Sequence, residues 1–232
     1  RGALFTDQYS AADLILVNTC GFIEPAQQEG VNKLLALSRL KKSRNVKLVA
    51  AGCLIEVFGS DLLKNIPELD GIIGVHSYHK LDHFIKEVMA NRKPILQEKP
   101  SAEYNALGPR LLTGSPHSVT IKVAEGCSNR CAYCLIPNIR GDYRGKKNDQ
   151  IIEEVVRALS VGAREIVLIA QDTTAYGSSK NDNETFSELV ANILKIEQRF
   201  WLRIMYTYPT RIDRDLLKIM ASDNRLCRYL DL

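Results

Sequence analysis

The sequence predicts an α/β protein built from parallel βα units, and three observations lead to this fold class. Short apolar runs recur along the 232 residues, and continuous runs of this length are typical of strands buried on both faces. Segments with apolar residues at helical spacing separate these runs, an alternation that predicts parallel sheets covered by helices. The composition, 45% apolar and 25% charged, is that of an ordinary globular protein and excludes a disordered or collagen-like chain.

The first part of the chain predicts a small parallel sheet. We expect strands over 13–17, 46–51 and 71–75. One helix is expected after Pro25, which fits a first helical turn, and another over 81–89. We assign residues 1–91 to this first domain.

Residues 92–118 predict a linker, because the periodicity stops there. Four of the eight prolines of the chain fall in this stretch, and proline interrupts both helices and central strands. The second domain is therefore expected over 119–232.

The second domain repeats the βα pattern. Asn148 or Asp149 is expected to cap a helix that Gly162 closes, and Thr185 with Glu188 has the pattern of a capping box. Asp213 is expected to cap a further helix. The periodicity does not distinguish an open sheet from part of a barrel, but both place chemistry after the C-terminal ends of strands. The expected strands cover 119–124, 165–170, 201–206 and 228–232.

Cysteine spacing is the strongest chemical signal in the chain. Three of the six cysteines, Cys127, Cys131 and Cys134, lie within eight residues directly after an expected strand. Structural zinc sites use four ligands, often two separated Cys-x-x-Cys pairs, and no second pair follows here. Three thiolates on a four-iron cluster leave one iron open to another ligand. The pattern therefore favours an iron–sulfur cluster, with a zinc knot or chance thiols as the alternative.

The segment Cys-Ser-Asn-Arg-Cys-Ala-Tyr-Cys (127–134) resembles the radical S-adenosylmethionine (SAM) superfamily. The resemblance implies that the three cysteines hold a 4Fe–4S cluster whose open iron binds SAM. Cleavage of SAM then yields a radical that abstracts hydrogen from carbon, and the protein positions the cofactor. Tyr133 is implied to line the adenine side of the pocket.

Further segments are similar to the methylthiotransferases of this superfamily, above all to those that modify a ribosomal protein. The resemblance implies an incomplete Rossmann-like N-terminal domain followed by a partial (βα) radical SAM barrel. The implied reaction adds a methylthio group to the β-carbon of an aspartate in small-subunit ribosomal protein twelve. A tRNA adenosine methylthiotransferase and a non-catalytic, zinc-stabilised binding module are the alternatives. The matching segments are 17–23, 52–54, 127–141, 170–174 and 208–212.

A second 4Fe–4S cluster is implied by the same resemblance. Cys20 and Cys53 match two of its three ligands, and the third is expected upstream of Arg1. Without the family, an isolated cysteine of this kind reads as a small core residue. We therefore expect a fragment that lacks both ends of a longer enzyme and is inactive by itself.

The implied partners are the small ribosomal subunit or its protein twelve, an electron donor and a sulfur donor. No membrane partner is expected, because the longest apolar runs are far shorter than the roughly 18 residues of a membrane span. We expect a cytoplasmic location. The net charge of +4 is compatible with a nucleic-acid or ribosomal partner without indicating one.

Polar residues after the expected strand 165–170 are candidates for cofactor binding. Gln171, Asp172 and Thr173 are implied to hydrogen-bond the methionyl or ribose part of SAM, with an ordinary capping turn as the alternative. Other residues have weaker signals. Arg203 and Arg211 are expected to pair with carboxylates, Glu125 and Asn129 to fix the cysteine loop, Cys227 to be a packed thiol, and Arg140, Arg144, Lys146 and Lys147 to form a solvated basic loop.

Overall fold

A computed structural model describes residues 4–101, 104, 116–178 and 184–232. The chain divides into two compact units. The first consists of residues 1–100 with 138–140, and the second of residues 101–137 with 141–232. No helix in the described part of the chain is long and apolar enough to cross a membrane.

The first unit is a parallel sheet of four strands in the order β1-β2-β3-β4. Because the strands are parallel, their carboxyl ends lie at one edge of the sheet. The predicted strands and helices are confirmed to within a few residues. The elements are β1 (Leu14–Thr19), α1 (Glu24–Lys42), β2 (Lys47–Gly52), α2 (Cys53–Asn65), β3 (Gly71–Ile73), α3 (Leu81–Met89) and β4 (Ile95–Leu96).

Two elements of this unit were not predicted. Helix α2 begins at Cys53, directly after β2. Strand β4 lies inside the predicted linker and pairs Ile95 with Ile72 of β3. Two residues are too few to show the period of a strand, so only the pairing partner defines this one.

Both faces of the first sheet are buried, as its continuous apolar runs predict. On one face, Leu34 of α1 and Leu54 of α2 pack with Leu48 of β2. On the other, Phe84 of α3 packs with Val49. Adjacent residues of β2 thus point into two different helical layers, which fixes the register of the strand.

The second unit is built around a parallel sheet with the strand order β5-β8-β9. A short antiparallel pair, β6 with β7, brackets the cysteine loop. Helices α5, α6 and α7 contribute to one apolar core with the sheet. The elements along residues 118–222 are β5 (Ser118–Lys122), β6 (Ala124–Glu125), α4 (Ile136–Arg140), β7 (Arg144–Gly145), α5 (Asn148–Ser160), β8 (Glu165–Ile169), α6 (Phe186–Leu194), β9 (Trp201–Ile204) and α7 (Arg214–Ser222).

The predicted helix ends are mostly confirmed. Thr185 and Glu188 form a complete capping box, and the Asp213 side chain accepts a hydrogen bond from the Leu216 N–H at 2.7 Å. Gly162 follows α5 with φ +103°. The predicted cap of α5 at Asn148 or Asp149 is wrong: the N-cap is Lys147, whose side chain makes no capping bond.

The predicted strand over 228–232 is also wrong. These residues are all described, and they form no strand; the chain makes a single parallel bridge to β9, between Leu226 and Leu202. Strand β9 ends at Ile204, and Tyr206 has φ +58°. This left-handed backbone ends the extended ladder with which residues 228–232 would have paired.

Candidate functional site

The cysteine loop starts at Gly126, a position that no other residue type can occupy without strain. Gly126 has φ +76°, and a Cβ there would lie 2.3 Å from the Asp142 carbonyl oxygen. The next residue, Cys127, donates its backbone N–H to the Gly141 carbonyl at 3.1 Å. The loop is therefore held closely against the segment that leads into β7.

All three cysteines of the loop are free thiols. Cys127 is buried, whereas Cys131 and Cys134 are partly exposed, and the Cys134 N–H donates to the Cys131 carbonyl at 3.0 Å. Burial raises the pKa of the Cys127 thiol. Metal binding reverses this preference, because a bound cysteine is a thiolate.

The described residues contain no three His, Cys, Asp or Glu side chains close enough to share one metal ion. A four-iron cluster requires a different arrangement, since each of its cysteines binds its own iron atom. Three free thiols on one loop, two of them partly exposed, supply three such ligands.

Behind the loop lies a buried carboxylate, Asp172, whose side chain is 2% exposed. Its Oδ2 accepts from Asn129 Nδ2 at 2.8 Å and from Arg211 at 2.7 Å. Its Oδ1 accepts from Thr174 Oγ1 at 2.8 Å and from the Ala175 N–H at 3.1 Å. A buried charge is tolerated when it is paired and hydrogen-bonded in this way.

The other predicted SAM-binding residues differ in their surroundings. Gln171 has a buried Oε1 without a hydrogen-bond partner in the described structure. Thr173 is fully buried, and its hydroxyl donates to the Met205 carbonyl at 2.6 Å. Tyr133 is 87% exposed, and the adjacent Cys131 thiol raises the pKa of its phenol.

Several weaker predictions are confirmed by contacts. Arg211 pairs with Asp172, Arg203 pairs with Glu165 at 2.8 Å, and Asn129 of the loop donates to Asp172. Glu125 accepts from Lys122 of the preceding strand, a contact that leaves its predicted role in the cysteine loop untested.

The prediction of a solvated basic loop is wrong for Lys146, which is buried and forms an ion pair with Glu154. Thr174 was not singled out from the sequence, yet its hydroxyl also accepts from the Tyr208 N–H at 2.9 Å. No spacing rule marks this second contact, because Tyr208 comes from a different loop.

In the first unit, strand register brings the two remaining candidate ligands to one edge. Thr19 of β1 pairs with Gly52 of β2, so Cys20 and Cys53 are the next residues along neighbouring strands. A Cβ on Gly21 would lie 2.6 Å from the Cys53 carbonyl oxygen, which shows how closely the two segments pack. Cys20 is exposed and Cys53 partly exposed.

A tyrosine lies at the same edge of the first sheet. Tyr78 donates to Asn18 Oδ1 at 3.1 Å. Partial burial raises the pKa of Tyr78 to about 12. The phenol is therefore neutral at physiological pH and acts as a hydrogen-bond donor.

Two family models match the chain. Residues 1–74 match the uncharacterized protein family UPF0004, and residues 121–229 match the radical SAM superfamily. Among solved structures, the radical SAM methyltransferase TsrM from Kitasatospora setae, with tryptophan and a SAM analogue bound, has a TM-score of 0.64 at 12% identity over 94% of this chain and 47% of that chain. The enzyme OxsB, dependent on cobalamin and SAM, has a TM-score of 0.53 at 11% identity over 90% of this chain and 32% of its own. These similarities concern the fold and confirm the predicted fold class.

Curated relatives carry the name ribosomal protein uS12 methylthiotransferase RimO. One from Clostridioides difficile strain 630 is 37% identical over all of this chain and 52% of its own length. Another from Clostridium acetobutylicum is 40% identical over 95% of this chain and 50% of its own. The chain thus spans about half the length of the curated relatives that it matches. Taken together with the two family models, these relatives show that the chain belongs to the RimO-like radical SAM methylthiotransferase family.

Proposed function

We propose that the protein containing this chain is a SAM-dependent methylthiotransferase that modifies ribosomal protein uS12, at the β-carbon of an aspartate. The observation that carries the proposal is the cysteine triad on a loop after a parallel strand, in a chain up to 40% identical to proteins named for this activity. The family assignment also favours this activity over a zinc-stabilised binding module.

Membership of the radical SAM superfamily implies one 4Fe–4S cluster and SAM. We assign the cluster to Cys127, Cys131 and Cys134. When bound, the cluster and SAM together supply an electron and a carbon-centred radical able to take a hydrogen atom from unactivated carbon. The protein supplies the loop geometry and the groups that orient SAM.

Gln171 is the strongest candidate for direct contact with SAM. Its buried Oε1 has no partner among the described residues, and a buried unpaired acceptor is costly unless a ligand donor completes it. Tyr133 is proposed to line the adenine side of the pocket. Asp172 and Thr173 were predicted to bind SAM as well, but the contacts described above occupy their side chains, so a direct contact would need a rearrangement.

Cys20 and Cys53 are proposed as ligands of a second cluster that handles the inserted sulfur. Their support is the register of β1 with β2, which ends both strands at one edge. A parallel sheet gathers catalytic groups at such an edge. The third ligand is proposed to come from the longer protein.

The overall reaction replaces a C–H bond with a C–S–CH3 group. The sulfur must come from a donor, the methyl group from a second SAM, and the electron for SAM cleavage from an external reductant. Because the substrate is a ribosomal protein, we propose a cytoplasmic location.

The full-length protein tests this proposal. It should be purified and reconstituted without oxygen, then incubated with SAM, a reductant, sulfide and either small ribosomal subunits or tRNA. Mass spectrometry should find a methylthio group on an aspartate of uS12, and a Cys127→Ala enzyme should produce none. Methylthio groups found only on tRNA would contradict the proposed substrate.

A further inference from the structure

Asn129 occupies a special position in the cysteine loop. It lies between Cys127 and Cys131, two residues after the first of these proposed ligands. Its side chain donates to Asp172 at 2.8 Å. This hydrogen bond therefore ties the loop that contains the proposed cluster ligands to a buried carboxylate in a different loop.

We propose that Asp172 is a positioning residue that fixes the cysteine loop through Asn129, rather than a group that touches SAM. This inference rests on the proposed cluster site. It assigns Asp172 the task of holding the three thiols in the arrangement that a cluster needs before the cluster is bound.

The two oxygens of Asp172 have separate tasks. Oδ1 is held by Thr174 and Ala175, within its own turn. Oδ2 faces outward from that turn and receives Asn129 and Arg211. Thr174 and Ala175 orient the carboxylate. The carboxylate in turn orients Asn129 and Arg211.

A carboxylate suits this position better than a neutral acceptor. Hydrogen bonds to an ionised acceptor are about twice as strong as neutral ones, and Oδ2 accepts two donors at once. The Arg211 guanidinium, which lies 5.5 Å from the centre of the Tyr208 ring, balances the buried charge. Removing the charge would leave Arg211 and Asn129 competing for a weaker acceptor.

The test uses the full-length protein in a Cys20→Ala/Cys53→Ala background, so that only the cluster of the cysteine loop is present. Four proteins are compared: this parent, Asp172→Asn, Asn129→Ser, and the double exchange Asn129→Asp/Asp172→Asn. In Asp172→Asn, an amide N–H₂ can face Asn129, and two donors then oppose each other. The double exchange restores a donor and an acceptor across the same contact.

The readouts are the rate at which an iron chelator removes the cluster and the electron paramagnetic resonance spectrum of the reduced cluster. Loss of a group that orients metal ligands typically costs 10- to 100-fold in metal affinity. We expect Asp172→Asn and Asn129→Ser to lose iron about tenfold faster than the parent, with a broadened spectrum. The double exchange should restore both properties toward those of the parent.

Glu165→Gln is the matched control, because it removes a carboxylate that pairs with an arginine at the opposite end of β8. It should lose iron at the parental rate. If Asp172→Asn does not fold, Asn129→Ser decides the question, since it removes the same contact from a partly exposed position.

The outcomes separate this inference from the proposed function. A parent that binds no iron and sulfide would overturn both. A parent with a normal cluster, together with single variants that hold it equally well, would overturn the inference alone. Faster loss that the double exchange does not correct would also overturn it, because the effect would not come from the contact between residues 129 and 172.

Discussion

In the second unit, three candidate ligands lie within eight residues of one loop, whereas in the first unit Cys20 and Cys53 come from different strands. The loop is held by a glycine turn and by a buried carboxylate that accepts from Asn129. The edge of the first sheet is held by strand register and by the close approach of Gly21 to Cys53. Cysteine spacing along one loop therefore specifies the candidate site of the second unit, whereas strand pairing specifies the candidate site of the first.

This difference affects how each site should fail. Side-chain substitutions at Asn129 and Asp172 should damage the cysteine loop, because their hydrogen bond helps the Gly126 turn to fix it. Backbone crowding should damage the edge of the first sheet, where main-chain atoms lie against each other. The two sites should also affect different steps of the proposed reaction.

The largest effect is expected for Cys127→Ala in the full-length protein. Loss of one of three ligands should abolish SAM cleavage, because the cluster has no spare cysteine on that loop. Release of the cleaved nucleoside under reducing conditions measures this step. Cys227→Ala, which removes a cysteine outside both candidate sites, should cleave SAM normally; cleavage retained by Cys127→Ala would contradict the ligand assignment.

Cys53→Ala should separate the two sites most clearly. We expect SAM cleavage to continue, because the cysteine loop is intact, while the methylthio product disappears. Parallel assays of nucleoside release and of modified uS12 measure the two steps. Loss of both activities, in a protein with normal folding, would show that the sites do not divide the reaction in this way.

Gly21→Ala should disturb the first unit through the main chain. The new Cβ would lie 2.6 Å from the Cys53 carbonyl oxygen, and overpacking of this kind costs about 1–3 kcal/mol. Hydrogen exchange of the β2 amides should become faster, with no change in β8. Gly30→Ala is the control, because its Cβ would meet only side-chain carbons of Thr19 and Leu54, the nearest at 3.3 Å. Equal exchange in the two variants would contradict the backbone explanation.

The smallest effect is expected at the end of β8 away from the cysteine loop. The Ser118 hydroxyl and the Arg203 guanidinium lower the pKa of Glu165. A carboxylate whose pKa is lower when folded stabilises the fold above its unfolded pKa of about 4.3, and that contribution is lost as the pH falls through the folded value.

Glu165→Gln should therefore reduce the free energy of unfolding at pH 7, by at most about 1 kcal/mol for a partly exposed pair. The difference from the parent should disappear in acid. Urea unfolding followed by the fluorescence of Trp201, the one tryptophan of the chain, measures this in the second unit. A difference that persists unchanged at pH 3 would contradict the electrostatic explanation.

Sequence patterns predicted most of the fold because its strands and helices are locally encoded. The apolar runs gave the positions of β1, β2, β5 and β8, and capping patterns gave the starts of α6 and α7. The strand predicted over 228–232 does not form because a strand needs a partner. The left-handed backbone at Tyr206 ends the partner strand, β9, early.

The residues of the candidate site also differ in whether local sequence patterns could identify them. Cys127, Cys131 and Cys134 could be found from spacing, since one loop contains them all. The role of Asp172 could not, because it depends on donors from Asn129 and Arg211, which come from other parts of the chain. Position after a strand pointed to this region but did not distinguish contact with a cofactor from support of the loop.

The most direct test of the central claim is the metal content of the cysteine loop. The full-length protein with Cys20→Ala and Cys53→Ala should be reconstituted without oxygen and analysed for iron, zinc and acid-labile sulfide. We predict iron and sulfide in equal amounts, and a paramagnetic resonance signal of the reduced cluster that changes when SAM is added. Zinc without iron or sulfide, or an iron signal that SAM does not alter, would contradict a cluster with one iron open to SAM.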